Sequence, residues 1–462
     1  MLVPSAPTTD PWGWILWGRE LTHFHLQTVV GGAPSWKPLP VLVTTPLALL
    51  GGAAPQLWLL VARAGGLFSL FVAYRLGRRL AGPVAGAISV AGLILSAHWV
   101  RSFGHGYTEP LAIGLLLLAV ERALDERPRQ ALVLGALVTL SRPEGWPVLV
   151  AYGALLVLRR RISWWLALAV LAVVPALWIV PDWLSSGDPF HASAVAKIVI
   201  PPHMGEALAD AALTPPLPLS LAALAGVGIA LRTRDRAILG VSAVVAAWAL
   251  LLIAMMAAGY PPSFRFFAIP AGLVAVLGAV GMVRLVEASR PRLPRLVLIL
   301  GLVALSAPSV VFRVANAAET ADDTVTRARL ESDLDTLVQR AGDARLRRCG
   351  FMAFPRRLSW ARGVVAWDMN LRLYRLHQLG TSALGYIEEL SDLRRERLPV
   401  TPRGPVHVRA RGARFVLFSP FGDSQVREEG TRTPLRSLAA AGRWRALVSQ
   451  ASDCPGLTTP PS

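Results

Sequence analysis

The chain has 462 residues, of which 53% are hydrophobic and 16% are charged, and its formal net charge is +18. Soluble proteins of this size carry about 25% charged residues, so the composition argues against an ordinary soluble enzyme. The arginines lie mostly in short clusters between apolar segments and in the last third of the chain. This distribution favours membrane topology over nucleic-acid binding as the origin of the positive charge.

The first segment of the chain, residues 1–54, contains no clean membrane span. It combines Asp10 with several tryptophans, prolines and two histidines, and no basic stretch followed by an apolar core marks a signal peptide. The part from Trp12 to Phe24 mixes apolar side chains with Arg19 and Glu20. This mixture predicts a helix that lies in the membrane interface.

Ten apolar segments that follow are predicted to cross the membrane. They are residues 55–74, 83–100, 108–120, 131–141, 145–158, 163–181, 217–231, 237–258, 264–284 and 296–314. Segments 131–141 and 145–158 are short for a bilayer that needs about 20 residues. A single re-entrant hairpin around residues 141–145 is therefore the alternative for this pair. The predicted fold class is an all-α polytopic membrane bundle.

Basic residues in the connecting loops predict the orientation of the bundle. One set of loops holds sixteen arginines, whereas the opposite set holds seven basic residues. The richer set is expected to face the cytoplasm, because positive charge is retained on that side. Both the N-terminal segment and the tail after residue 314 are then extracytoplasmic. We expect a multi-pass protein of a bacterial plasma membrane.

The tail, residues 315–462, is predicted to be a small extracytoplasmic α/β domain. Its charge rises and its apolar runs become short, as in a soluble domain. The predicted elements are a charged helix over Glu319–Arg340, strands at Cys349–Phe354, Val406–Val408 and Arg414–Phe418, and a second helix over Thr433–Ala441. The chain is thus divided into an N-terminal segment (1–54), a transmembrane domain (55–314) and this tail.

Both cysteines of the chain, Cys349 and Cys454, lie in the tail. An even and sparse count in an oxidising compartment is typical of one disulfide. Two buried free thiols are the alternative.

Polar residues that carry chemistry gather in the loops predicted to face outward. Their order resembles that of the GT-C superfamily of polytopic glycosyltransferases, which includes bacterial protein mannosyltransferases, aminoarabinose transferases and actinobacterial arabinosyltransferases. The matching positions are Asp10 in Thr9–Trp12, Lys37 in Trp36–Pro40, Arg63, Glu109 in Gly106–Pro110, Arg142 and Glu144 in Leu140–Gly145, and Arg265 in Arg265–Pro270. The resemblance covers about residues 8–314.

The resemblance implies a polyprenyl-phosphate sugar as donor, a glycan, lipid or protein as acceptor, and transfer on the outer face. It implies Asp10 as the base that takes the acceptor proton. Cations are needed for the phosphate, which leaves with negative charge. The residues expected to bind substrate are Lys37, Arg63, His105, Tyr107, Glu109, Arg142, Glu144 and Arg265. Membrane lipids are further expected partners, and nucleic acid is not.

Each candidate also has an interpretation without function. Asp10 before a proline is a strong helix start and N-cap signal, and Glu109 would meet the positive end of a helix dipole. Arg142 and Glu144 would pair across a proline turn, and Arg63 would form a buried ion pair. For the two remaining cations the alternatives are an interfacial anchor (Arg265) and an amine that reaches the headgroups (Lys37).

No metal site is assigned from the sequence. His23 and His25 are two residues apart, so they point to different sides of a helix, and no HExxH pattern occurs. Asp182 and Asp188 leave a divalent cation as an open alternative, although Asp188 sits in an ordinary Gly-Asp-Pro turn. The absence of a glycine-rich phosphate loop argues against a nucleotide-sugar donor.

Two other classes of function compete with glycosyl transfer. One is a transporter of a lipid-linked substrate, which should show internal repeats and polar residues at the midplane. The other is a non-catalytic scaffold of the cell envelope. Only nine residues precede Asp10, fewer than the span that precedes this acid in the resembled family. We therefore expect either a native start upstream or a lost first helix.

Overall fold

The computed structural model describes residues 4–29, 34–196, 205, 209, 213–260, 264–289, 292–355, 359–379, 406–408, 414–419, 426–428, 435–448 and 454. The chain divides into two compact units. One unit holds Met1–Ser35, Thr44–Gln56 and Ala321–Ser462, so that the two ends of the chain fold together. The other unit holds Trp36–Val43 and Leu57–Thr320, which include most of the apolar segments.

Helices dominate the chain from its first described residues to residue 348. Their bounds are α1 Thr9–Thr22, α2 Pro38–Ala48, α3 Ala54–Ile94, α4 Trp99–Gly104, α5 Glu109–Leu124, α6 Pro128–Ser141, α7 Trp146–Leu158, α8 Trp164–Ser186, α9 His191–Ala196, α10 Leu217–Thr233, α11 Arg236–Ala257, α12 Phe264–Ala288, α13 Arg292–Ala341 and α14 Asp343–Arg348. Two short 3-10 turns precede α3 and α7, at Gly51–Ala53 and Pro143–Gly145.

Helix α3 contains a sharp reversal that turns it into a helical hairpin. Non-helical backbone occurs at Ala81 and at Gly82, whose φ of 85° is favourable for glycine. The two halves then pack closely, because a Cβ on Gly77 would come within 2.4 Å of the Ser89 hydroxyl. The two crossings predicted at 55–74 and 83–100 fall on these halves, although the second half ends at Ile94.

Helices α10 and α12 pack backbone against backbone. A Cβ on Gly281 would lie 1.9 Å from the carbonyl oxygen of Ala222, and one on Gly278 would lie 2.3 Å from that of Leu219. Close approach through small residues is typical of helices that associate in a membrane. The side chains of α12 are accordingly buried on several faces, as at Leu273 and Val276.

Five helical segments among the described residues are long and apolar enough to cross a membrane. They are Gly51–Ile94, Trp164–Ser186, Arg236–Ala257, Arg265–Ala288 and Arg295–Ala341. The total of ten crossings stays a prediction. The last predicted crossing and the charged helix after it, expected as separate helices, form the single continuous helix α13. The separation was wrong because no helix-ending residue lies between them, and Pro308 is accommodated inside the helix.

The described part of the tail is built around a mixed sheet. Its elements are β1 Phe351–Pro355, α15 Ser359–Asp368, β2 His377–Leu379, β3 Val406–Val408, β4 Phe415–Ser419, β5 Val426–Glu428, β6 Arg436–Ala441 and β7 Trp444–Val448. The five-stranded sheet has the order β2-β1-β4-β7-β6, and β3 pairs with β5. Strand β1 is parallel to its neighbours β2 and β4, whereas β7 is antiparallel to its neighbours β4 and β6. The strands predicted near 349–354, 406–408 and 414–418 are confirmed.

The helix predicted over Thr433–Ala441 is wrong, because Arg436–Ala441 forms strand β6. Alanine favours helices in isolation. Here the segment pairs with Trp444–Val448, and Gly442 makes the reversal with a φ of 51°. The ladder hydrogen bonds and the buried Trp444 therefore outweigh the local preference.

The disulfide predicted in the tail is confirmed, since Cys349 and Cys454 are bonded with their Cα atoms 4.8 Å apart. It closes a loop with a sequence separation of 105 residues. In the chain-entropy model, a disulfide that closes a loop of this length stabilises the folded state by about 4–5 kcal/mol.

Reduction of the disulfide should therefore lower the denaturation midpoint of the tail. Near-UV circular dichroism measures this midpoint. Alkylation of two thiols in denatured, unreduced protein would contradict the bond.

Asp368 ends helix α15 and should make stability depend on pH. Burial, and secondly the adjacent carboxylate of Asp335, raise the pKa of Asp368 to about 8. Between the unfolded pKa of about 4 and the folded pKa of about 8, the folded state holds the proton more tightly than the unfolded state. The free energy of unfolding therefore falls as pH rises through this range. Asp368→Asn should resemble the protonated side chain. We expect it to denature several degrees above the unaltered protein at pH 8.5, with a smaller difference at pH 5.

Asp343→Asn is the matched control for this measurement, because that carboxylate is half-exposed and pairs with Arg347 at 2.8 Å. It should give no gain at pH 8.5. A midpoint for Asp368→Asn that falls with pH as steeply as that of the unaltered protein would contradict the assignment.

Candidate functional site

The centre of the candidate site is the carboxylate of Glu109, the first residue of α5. Pro110 follows it in the first turn of the helix, so the side chain lies at the positive end of the helix dipole. The amine of Lys37 lies 3.3 Å from Glu109 Oε1 and donates to Thr108 Oγ1 at 3.2 Å. The side chains of Lys37 and Glu109 are both only 2% exposed. The alternative in which Lys37 reaches the headgroups is therefore wrong.

Arg142 approaches the same carboxylate from the end of α6. The proline that follows it disfavours helical backbone, and Arg142 is extended with φ −145° and ψ 95°. Its guanidinium lies 3.5 Å from Glu109 and 3.3 Å from Glu144, and it also donates to the carbonyl oxygen of Arg265. The predicted Arg142–Glu144 pair is thus present, and it is one part of a larger network.

Arg265, in the first turn of α12, supplies the third cation. Its Nε donates to Glu109 Oε1 at 2.7 Å, and its guanidinium lies over the ring of Tyr107, 4.7 Å from the centroid. Arg142 lies in the same way over Phe266, at 5.4 Å. Arg265 is thus held inside the protein and is more than an interfacial anchor, since its side chain is 18% exposed.

Two residues of this arrangement, Thr108 and Phe266, were not predicted from the sequence. Thr108 accepts from Lys37, and Phe266 faces Arg142. Both directly adjoin residues that were singled out, namely Glu109 and Arg265. The signal that could have found them is the motif as a whole, because neighbours of a charged residue in a tight turn often complete its contacts.

The Glu109 cluster, defined as Lys37, Glu109, Arg142, Glu144 and Arg265, carries three cations and two carboxylates. Four of these side chains are at most 5% exposed, and that of Arg265 is 18% exposed. Guanidinium groups bind phosphate oxygens in a paired geometry, so Arg142 and Arg265 have the chemistry to hold a phosphate.

Asp10 belongs to the other compact unit, which contains both ends of the chain. Helix α1 begins at Thr9 with Thr8 as its N-cap, so the expectation that Asp10 caps the helix is wrong. Its carboxylate instead accepts from the backbone N–H of Ser35 at 3.3 Å and from the Ser35 hydroxyl at 3.2 Å. The side chain is held in place from a loop 25 residues away and is 9% exposed.

The remaining candidates lie in the helical unit. Arg63 is half-buried within α3, and its part in the site stays a prediction. His105 is fully buried, and the adjacent Gly106 carbonyl accepts from Trp58 Nε1 at 3.0 Å. This bond ties the turn that precedes Glu109 to helix α3.

The two aspartates considered for a cation are engaged by the backbone. Asp182 Oδ2 accepts from the N–H of Ala192 at 3.0 Å, and Asp188 Oδ1 accepts from that of Phe190 at 2.9 Å. Within the described ranges, no group of three or more His, Cys, Asp or Glu side chains is arranged to hold a metal ion. Asp188 has the bonding of an Asx turn, as its Gly-Asp-Pro context indicated.

No protein-family model and no curated protein sequence matches this chain. Among solved structures, it is similar to ArnT from Cupriavidus metallidurans bound to undecaprenyl phosphate. The identity is 15% and the TM-score 0.52, over 97% of this chain and 95% of that one. A second similar structure is the oligosaccharyltransferase AglB from Archaeoglobus fulgidus in complex with an inhibitory peptide and a dolichol-phosphate, with 15% identity over 70% of this chain and 53% of that one, and a TM-score of 0.43.

The fold of this chain is therefore similar to that of ArnT, a GT-C membrane glycosyltransferase, as the resemblance in the sequence implied. The similarity to ArnT extends over nearly the whole of both chains. This similarity and the long apolar helices indicate a multi-pass membrane protein.

Proposed function

We propose that this protein is a membrane glycosyltransferase that moves a sugar from a polyprenyl-phosphate donor to a cell-envelope acceptor on the extracytoplasmic face. The observation that carries the proposal is the Glu109 cluster, where three cations meet at one buried carboxylate. The fold adds support, because ArnT shares it and was crystallised with undecaprenyl phosphate. A lipid phosphate has the charge and the polarity that such a cluster would bind.

In the proposed reaction, an acceptor hydroxyl oxygen attacks the anomeric carbon of the sugar. The bond from that carbon to the phosphate oxygen breaks, and its electron pair leaves with the lipid phosphate. The carboxylate of Asp10 takes the hydroxyl proton. Lys37, Arg142 and Arg265 would stabilise the negative charge that grows on the phosphate, which is where preorganised cations accelerate a reaction most.

The proposal is tested with purified protein in detergent or nanodiscs and a panel of polyprenyl-phosphate pentoses, aminopentoses and hexoses. Transfer is followed by the release of polyprenyl phosphate and by labelling of lipid, glycan and protein acceptors. Transfer from one donor class that Asp10→Asn abolishes would support the proposal. Absence of release with every donor and acceptor in the panel would contradict it.

A transporter and a non-catalytic scaffold are the competing functions. A transporter would move the lipid-linked substrate between leaflets of a vesicle without release of polyprenyl phosphate, and a scaffold would do neither. The sequence favours the transferase over a transporter, because it shows no repeat of fixed period and its polar residues gather in the loops of one predicted side.

The proposed topology predicts the labelling pattern of introduced cysteines. His191→Cys, in a loop predicted to be outside, should react with a membrane-impermeant maleimide in intact cells. Arg160→Cys, in one of the arginine-rich loops, should react only after lysis. Because helix α1 packs with the C-terminal tail in one unit, both ends are expected on the same side. The reverse labelling pattern would overturn the orientation.

A further inference from the structure

Helix α1, which carries Asp10, is attached to the C-terminal tail at both of its ends. Near its start, Trp12 Nε1 donates to Glu331 Oε2 at 3.2 Å, across 319 residues of sequence. Near its end, Arg19 donates to three backbone carbonyl groups around the C-terminus of α15. The acceptors are the carbonyl oxygens of Ala366 at 3.1 Å, Trp367 at 3.1 Å and Leu371 at 2.6 Å.

The contact made by Arg19 lies at the C-terminal end of a helix, where the carbonyl oxygens of Ala366 and Trp367 also accept from the backbone N–H groups of Leu371 and Asn370. The last carbonyl groups of an α-helix have no partner inside the helix, and a cation is favourable at that negative end. The guanidinium also lies over the ring of Trp367, 4.8 Å from its centroid. One side chain thus joins α1 to α15 through several bonds in a fixed fork geometry.

Helices α1 and α15 approach each other closely at Gly363. Gly363 faces Trp12, and a Cβ at that position would come within 2.5 Å of Trp12 Cβ. This neighbour is the rigid base of a side chain, so even alanine would push the helices apart. The position of α1 is therefore set by the tail as well as by its own sequence.

We propose that the C-terminal tail positions α1 and thereby Asp10, with Arg19 as the positioning residue that fixes the helix. This inference rests on the proposed function for the role of Asp10. The carboxylate lies two residues before Trp12 on the same helix, so a shift of α1 moves the base. A displacement of about 1 Å at a catalytic group can lower a rate by about 10²-fold.

The test compares Arg19→Met, which removes the bonds, and Gly363→Ala, which displaces α1 without removing a polar group. Arg340→Met is the matched control, since Arg340 donates to the carbonyl of Ala440 within the tail. Hydrogen exchange of residues 9–22 is measured by mass spectrometry in each protein. Both test variants should exchange about tenfold faster in this helix, and the control should match the unaltered protein.

Transfer kinetics then separate positioning from folding. Both variants should lose about 10–10²-fold in kcat while the affinity for polyprenyl phosphate stays the same, because donor binding is assigned to the other unit. Unchanged exchange of α1, or slower turnover matched by weaker donor binding, would overturn the inference. If the unaltered protein transfers no sugar from any donor, the proposed function fails, whereas the exchange data still decide whether the tail holds α1.

Discussion

Replacing Asp10 by asparagine should lower the rate of sugar transfer by about 10²–10⁴-fold, the usual effect of losing a general base. The amide has nearly the shape of the carboxylate, and its oxygen can accept the hydrogen bond that the N–H of Ser35 donates to Asp10 at 3.3 Å in the unaltered protein. Folding should therefore persist, and so should binding of polyprenyl phosphate. The measurement is single-turnover transfer with the enzyme in excess over the donor, together with the thermal denaturation midpoint.

Asp188→Asn is the matched control for this variant. It makes the same chemical change in another loop predicted to be extracytoplasmic, where the carboxylate accepts from the N–H of Phe190. An amide oxygen can accept the same bond, so near-normal turnover is expected. Asp10 would be removed from the mechanism if its asparagine variant turned over like this control.

Replacing Glu109 by glutamine should destabilise the protein by about 3–5 kcal/mol, the usual result of breaking a buried ion pair from one side. The neutral amide leaves Lys37, Arg142 and Arg265 without the carboxylate that they share. Thermal denaturation in detergent measures the loss. Glu126→Gln is the control, because that side chain is 79% exposed and its pair with Arg161 is expected to contribute about 0–1 kcal/mol.

The same variant distinguishes a phosphate site from a purely structural network. If the three cations bind a lipid phosphate, the phosphate can replace part of the missing negative charge in Glu109→Gln. Polyprenyl phosphate should then raise the denaturation midpoint more in this variant than in the unaltered protein. Equal shifts in both proteins, or none in either, would argue against phosphate binding at the Glu109 cluster.

Local patterns in the sequence were sufficient for most helices and for part of the sheet. Apolar segments without charges predict membrane helices reliably, because the backbone must satisfy its own hydrogen bonds in lipid. Val406–Val408 and Phe415–Ser419 are strands as their β-branched and aromatic residues indicated. The helix predicted at Arg436–Ala441 was wrong, because the strand conformation of this segment depends on pairing with Trp444–Val448.

The candidate cations were found from the sequence because charged residues next to apolar segments are conspicuous. Their convergence on Glu109 was not visible, since Lys37, Arg142 and Arg265 are far apart along the chain. The same limit explains the N-cap prediction for Asp10. Its actual partner, Ser35, lies 25 residues further along the chain, beyond the end of α1, and no local rule favours that bond over capping.

The sequence by itself determined the class of the protein, the chemistry available to it and the short motifs that carry its charges. These properties follow from hydropathy and residue type, which act locally. Only the tertiary structure decided that Lys37, Arg142 and Arg265 share one carboxylate and that helix α1 is held by the tail through Trp12 and Arg19. Such contacts join residues from distant parts of the chain, and their energies exist only once the helices have packed.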